Sequence, residues 1–222
     1  MPKLSDPNPN VLEVEGYQFD KIAEIGPIFQ GVQVPHTANS FPEIVREWFH
    51  CFYTVFRARN VFVRWQQVAN VRSSRPYLTG ETMREAFLQT LSAAEIHDSE
   101  RVKVELELWE KGTSFPFGLM YSAFVLVRNF VTNRPFLLFE IQGRYALHRR
   151  GVRTQSGYLG LASHVTKVGD DVMICKGSSA PLIMRRCGER DGEFRLIGDA
   201  YVHGTMGGEA FENGKCRRIF IK

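Results

Sequence analysis

The chain is short of the features that usually assign a protein to a class. It has only four cysteines, Cys51, Cys175, Cys187 and Cys216, and no CxxC pair, which argues against a structural zinc site. Cys51 and Cys175 fall in apolar patterns and read as small core residues. No apolar run reaches the ~20 residues that a bilayer requires. The longest weakly charged stretch, 115–127, contains Pro116 and Gly118, so no membrane span is expected. The first ten residues hold three prolines and no apolar segment of a secretory signal. They read as a disordered arm, and the expected localisation is cytoplasmic, with reduced thiols. Neither sign of charge dominates: 28 Lys and Arg against 24 Asp and Glu give +4. That balance is no nucleic-acid signature, so no nucleic acid is expected as a partner. The basic clusters at His148–Arg150, Arg185–Arg186 and Arg217–Arg218 read as exposed strand or loop faces.

Cofactor and catalytic motifs are also missing. There is no GxGxxG, no GxxxxGK[ST], no GxSxG and no HExxH. The six histidines, at 36, 50, 97, 148, 164 and 203, form no i, i+3 or i, i+4 pair. Asp170-Asp171 follows Gly169 at a turn and does not match a helical magnesium cluster. No cofactor and no metal are expected. What the chain does have is 44% apolar residues and 17 phenylalanines, enough to bury roughly 70% of the unfolded surface in a real core.

The patterning places elements along the chain. Val11–Glu15 and Tyr17–Ile25 alternate as two short strands around a Glu15-Gly16 turn, ended by Gly26-Pro27. Ser40-Phe41-Pro42-Glu43 reads as a capping box opening a helix, with Ile44, Val45, Trp48, Phe49, Phe52, Val55 and Phe56 as its apolar stripe. Thr79-Gly80-Glu81 opens a second helix through Met83, Phe87 and Leu91. Residues 98–111, 117–129 and 136–148 are read as further helices. From about residue 150 the texture becomes short strands separated by glycines, which suggests a small barrel or compact sheet. The expected fold is α+β: a helical segment, 40–148, inserted between an N-terminal strand pair, 11–25, and a β-barrel-like C-terminal part, 150–222, in one domain over 11–222.

Asp199, Tyr201 and His203 alternate along one strand and so share a face. A carboxylate, a phenol and an imidazole on one face form either a catalytic trio or a polar network satisfying buried groups. Glu209, beyond Gly207-Gly208, either orients His203 or caps a helix. Tyr158, between Gly157 and Gly160, is a candidate donor or a plain turn residue. Glu81 reads as a first-turn carboxylate favourable to the helix dipole. Trp48, Phe52, Phe117 and Tyr121 either line an apolar pocket or are simply core.

Several blocks together resemble the C-terminal region of fungal heterokaryon-incompatibility (HET) domain proteins. They are Gly157–Leu161, Val168–Val172, Pro181–Arg185, Phe194–Asp199 and Ala200-Tyr201-Val202-His203-Gly204-Thr205-Met206-Gly207-Gly208-Glu209-Ala210. Upstream, Gly16–Ile22, Tyr77–Glu81 and Glu85–Phe87 belong to the same resemblance, which spans roughly 11–211. It implies a fungal origin and an architecture. No counterpart of the N-terminal HET signalling domain of such proteins is expected within these residues, and its death-signalling activity is not carried over to them. Two functions remain in view. One is a cofactor-independent cyclase, isomerase or dehydratase acting on an apolar polyketide- or terpenoid-type molecule of secondary metabolism. There His203 would be the acid/base, Tyr158 or Tyr201 the donor, and Asp199 or Glu209 the orienter. The other is a non-enzymatic recognition or regulatory module of an incompatibility or immune-like pathway.

Overall fold

The alternation that begins at Leu12 does not turn at Gly16. A computed structural model, which describes residues 3–4, 11–31, 40–94, 145–187 and 192–222, has one strand where the sequence suggested two. Strand β1 is Lys3–Leu4, and β2 runs unbroken over Leu12–Ile28. Gly16 serves close approach, not a turn. A Cβ there would lie 2.6 Å from the Ile174 carbonyl oxygen and 2.9 Å from Cys175 Sγ, so only a residue without a side chain lets the neighbouring strand pack. Gly26-Pro27 does not end the strand either. The Pro27 carbonyl accepts a 2.8 Å bond from the Trp65 indole N–H, and the indole lies against Gly26 where a side chain would sit.

After β2 come two helices, α1 over Phe41–Val68 and α2 over Met83–Leu91. The remaining strands follow: β3 Arg149–Thr154, β4 Leu159–Ser163, β5 Asp171–Cys175, β6 Leu182–Arg186, β7 Glu193–Val202 and β8 Arg217–Ile221. The architecture is therefore α+β, as the patterning suggested. Neighbouring strands follow the path β2-β3-β4-β7-β6-β5, and β2 also pairs with β5. That last pairing closes the path into a ring. Gly16–Lys21 of β2 pairs with β5, and Ile22–Ile28 pairs with β3. Strand β7 divides its pairing in the same way, between β6 and β4. Long strands broken by register shifts let one strand serve two sheets at a barrel corner.

The helical insertion leaves and re-enters the barrel at a single point. Phe29 N–H donates to the Arg149 carbonyl at 3.0 Å, and His148 N–H donates to the Phe29 carbonyl at 2.8 Å. Residues 95–144, and with them most of the helices expected between 98 and 148, lie outside the described residues. Helix α1 starts where the Pro and the apolar stripe place it, but Ser40 makes no capping bond. The capping box forms at α2 instead, between Thr82 and Glu85. Among the described residues, no helix is long and apolar enough to cross a membrane.

Burial falls into three layers. Ile22, Val152, Ala162, Val172, Ile183, Ala200 and Val202 fill the barrel. Phe29, Phe62, Trp65, Tyr77, Leu91, Leu161 and Tyr201 join the helices to the barrel wall. Met173, Cys175, Met184, Phe194 and Ile219 cover the far sheet face. Trp65 is the centre of the helix contact. It meets Phe62 edge-on at 5.4 Å between centroids, and a Cβ on Gly151 would sit 2.8 Å from its ring. The insertion thus brings the loop ahead of α2 to the end of β7.

Candidate functional site

At the C-terminal end of β7, Tyr201 and His203 point toward the loop that precedes α2. The Tyr201 hydroxyl lies 3.0 Å from His203 Nδ1. His203 Nε2 lies 2.5 Å from a carboxylate oxygen of Glu81. A carboxylate can only accept, so Glu81 fixes the hydrogen on Nε2, and Nδ1 is left to accept from Tyr201. The backbone of His203 is equally engaged. Its N–H donates to the Leu159 carbonyl at 2.8 Å, and its carbonyl accepts from the Tyr77 hydroxyl at 3.1 Å. The same Tyr77 hydroxyl accepts from Leu159 N–H at 2.9 Å. His203 is 6% exposed and Tyr201 8%, so the network lies in the wall between insertion and barrel.

Local turns put these side chains there. Tyr77 N–H donates to the Glu81 carbonyl and Gly80 N–H to the Tyr77 carbonyl, which folds 77–81 back on itself. Gly80 takes φ +98° in this turn, a conformation open to glycine. On the barrel side Gly204 takes φ +84°, and a Cβ on it would lie 2.9 Å from Thr79 Cγ2. The two turns therefore interlock. The Tyr77 and His203 rings stack obliquely at 5.3 Å. Burial raises the Tyr77 hydroxyl well above the ordinary phenol range, despite the Leu159 N–H that favours its ionised form. Burial does the same to Tyr201, assisted by the charges of Glu81 and Glu209. Both groups are held as protonated phenols, and Tyr201 acts as a donor to His203.

Sequence reasoning located half of this site. Tyr201 and His203 do meet, as their alternation implied. Asp199 does not join them: its side chain is 62% exposed and binds Arg149 at 2.7 Å. Alternation sets the face a residue shares but not its partner: the Asp199 carboxylate pairs with Arg149 of β3 at the exposed side of β7, whereas Tyr201 and His203 are buried together. Glu209 accepts from Gly207 N–H at 2.8 Å and closes its own turn; the carboxylate on His203 is Glu81. Tyr158 packs on Phe19 at 4.9 Å and makes no bond to the network. The pocket residues Phe117 and Tyr121, and the side chains of Trp48 and Phe52 on α1, lie outside the described residues. Glu81 and Tyr77 were missed as site residues because their partners lie 122 and 126 positions away. The one available signal was that Tyr77–Glu81 and Tyr201–Gly204 belong to the same set of resembling blocks.

The acidic dipeptide is structural. Both Asp170 oxygens accept from the Arg185 guanidinium, at 2.7 and 2.9 Å, and Asp171 pairs with Arg186 and Lys21. Arg185 and Arg186, read as a solvated face, are thus spent on buried carboxylates. Among the described residues, no group of three His, Cys, Asp or Glu gathers as a metal site would require. A void with room for about one water lies beside the site, walled by apolar groups of Trp65, Phe87, Leu91 and Leu161. None of the five proposed catalytic side chains lines it.

Residues 140–221 match the Het-6 beta-barrel domain. Over 79 residues the chain is 34% identical to "Heterokaryon incompatibility protein 6, OR allele" of Neurospora crassa, covering 35% of this chain and 12% of that protein. The chain thus aligns with about an eighth of the length of that relative. No solved structure matches. The C-terminal part of the chain is a HET-related barrel region, and strand β2, which closes the ring, lies upstream of the matched segment.

Proposed function

We propose that the chain is a non-enzymatic recognition module of an incompatibility-type pathway, in which the Glu81–His203–Tyr201 network locks the helical insertion onto the barrel. One observation carries this reading. All four polar atoms of His203 are engaged by other groups of the same chain: Glu81, Tyr201, Leu159 and Tyr77. An imidazole that works as general acid or base keeps one nitrogen for the reacting group; this one has none to spare. The name of the Neurospora relative ties that protein to heterokaryon incompatibility, and the recognition role is extended to this chain from there.

A second reading has a specific observation behind it. Carboxylate, imidazole and phenol stand in series, and a phenol that donates its hydrogen to a carboxylate-oriented imidazole can take up a proton from an apolar small molecule as its own passes to the ring, and return it in reverse. On this reading the chain is the cofactor-independent cyclase or isomerase considered above, with His203 as acid/base acting through Tyr201. One experiment separates the two. The gene is deleted from the source organism and restored as wild type, His203→Gln or Tyr201→Phe, while metabolites and the viability of cell fusions are scored. The recognition reading expects altered fusion outcome, an unchanged metabolite profile and a Tyr201→Phe strain close to wild type. Loss of one metabolite with build-up of a precursor, reproduced by Tyr201→Phe in a protein that stays folded and normally abundant in the cell, overturns it in favour of the enzyme.

A further inference from the structure

We infer that the loop 163–170 and the arginines around it form a docking surface for an acidic, aliphatic segment of a protein partner. The proposal rests on the recognition reading and adds where, and by what chemistry, the partner is held. The loop joins β4 to β5 and is braced from two sides. Arg150 Nε donates to the His164 carbonyl at 2.8 Å, and Arg185 Nη2 donates to the next carbonyl, that of Val165, at 3.1 Å. Arg149 stands opposite Ser163 in the β3–β4 register. Arg195 stands opposite Arg185 in the β6–β7 register, so their side chains share one face at ~5 Å between Cβ atoms. Lys167, on the loop itself, is exposed.

Charge decides what fits. Arg150 and Arg185 bond the loop, Lys167 lies on it, and Arg149 and Arg195 stand at neighbouring register positions; among the described residues two carboxylates answer these five cations, Asp170 to Arg185 and Asp199 to Arg149. Asp171 is taken by Lys21 and Arg186. Neither Arg195 nor Lys167 has a carboxylate partner among the described residues. Like charges directly opposite in an antiparallel sheet are destabilising, and the fold keeps Arg185 and Arg195 in that position with a single acid between them. An anionic group docked on this face removes that repulsion. Two aliphatic side chains, Val165 at 46% and Val168 at 59% exposure, stand on the same short loop, so the occupant must offer apolar contact beside its charge. Three of the free or half-occupied cations are guanidinium forks, which match planar carboxylates two bonds at a time. This favours Asp or Glu side chains spaced by aliphatic residues. Two valines are small anchors for a bilayer, where Trp, Phe and Leu serve.

The test uses the full chain and a fluorescein-labelled peptide of alternating glutamate and valine, read by fluorescence anisotropy. The expected result is saturable binding that weakens about tenfold or more in Arg195→Ala/Lys167→Ala. It is largely lost between about 0.05 and about 0.5 M salt, and it is absent for the same peptide with glutamine in place of glutamate. The double variant should not lower the urea midpoint, because neither side chain holds an ion pair and Arg195→Ala relieves its repulsion with Arg185. Three results overturn the proposal: no binding, equal binding by the double variant, or equal binding of the glutamine peptide. Co-sedimentation with phosphatidylserine vesicles without peptide binding also overturns it and reassigns the surface to lipid. A failure here leaves the fusion phenotype untouched, whereas peptide binding without any fusion phenotype sinks the recognition reading alone.

Discussion

Tyr77→Phe is the sharpest perturbation of the lock. The ring stays, so no cavity opens and the stacking on His203 survives. What is lost is one oxygen that serves two buried groups, accepting from Leu159 N–H and donating to the His203 carbonyl. An unsatisfied buried donor costs about 1–3 kcal/mol and the lost bond to a carbonyl adds about 0.5–1.5 kcal/mol, so the expected loss is about 2–4 kcal/mol. Urea unfolding followed by tryptophan fluorescence should show a lower midpoint at an unchanged slope. In a thermal scan, at ~2–4 °C per kcal/mol for a chain of this size, the loss is roughly 4–16 °C in Tm. Tyr201→Phe gives an internal control. It removes the donor to a single ring nitrogen and should cost less, about 1–2 kcal/mol. A Tyr77→Phe protein within about 0.5 kcal/mol of wild type, or more stable than Tyr201→Phe, would refute the assignment of Tyr77 as the bridging group.

Three further outcomes follow from the same contacts. Gly16→Ala drives a methyl into the Ile174 carbonyl and the Cys175 sulfur and should destabilise by about 1–3 kcal/mol in the same urea assay. Arg185→Ala strips the guanidinium fork from the 3%-exposed Asp170. A loss of about 2–4 kcal/mol is expected, softened because the arginine is partly solvated, and an added Asp170→Asn should recover part of it. If the double variant is no better than the single, the buried charge is not the cause. Stability should also fall as pH rises from about 9 to 11. Burial pushes the Cys175 thiol up to about 11 from its ordinary 9, so across that window the unfolded chain has released a proton that the native state still holds. Tyr77 and Tyr201, raised in the same direction, extend the fall. Urea midpoints at pH 8 and 10.5 read the slope, and Cys175→Ala should flatten its lower part.

The sequence was legible where structure is local. The stripe after Ser40 and the proline in the first turn marked α1, and alternation put Tyr201 and His203 together. Glycine was the ambiguous letter. Gly16 serves close packing and Gly80 a turn, and nothing adjacent in sequence separates those uses. Ser40-Phe41-Pro42-Glu43 has the spacing of a capping box and does not form one, while Thr82–Glu85, less conspicuous, does. Glu81 carried the opposite error. Its position suited a helix dipole, but the turn at Tyr77–Glu81 holds it just outside α2, where an imidazole from the other end of the chain reaches it. A carboxylate whose partner is 122 residues away cannot be assigned from its neighbours. Asp199 was lost for the same reason in reverse, because Arg149 claims it across sheets.

The position of the insertion also shapes how the protein is made. Strand β2 precedes β3, β5 and β8 in the chain, and its pairing with them runs from Arg150 to Ile221. At ~5–20 residues per second, the ribosome needs roughly 6–24 s to pass from the end of β2 to the start of β3. Throughout that interval a seventeen-residue strand has none of its β3, β5 or β8 neighbours. An unpaired edge of that length is an aggregation hazard. Docking of Gly26 and Pro27 against Trp65 of α1, which emerges well before β3, would cover part of that strand during the wait.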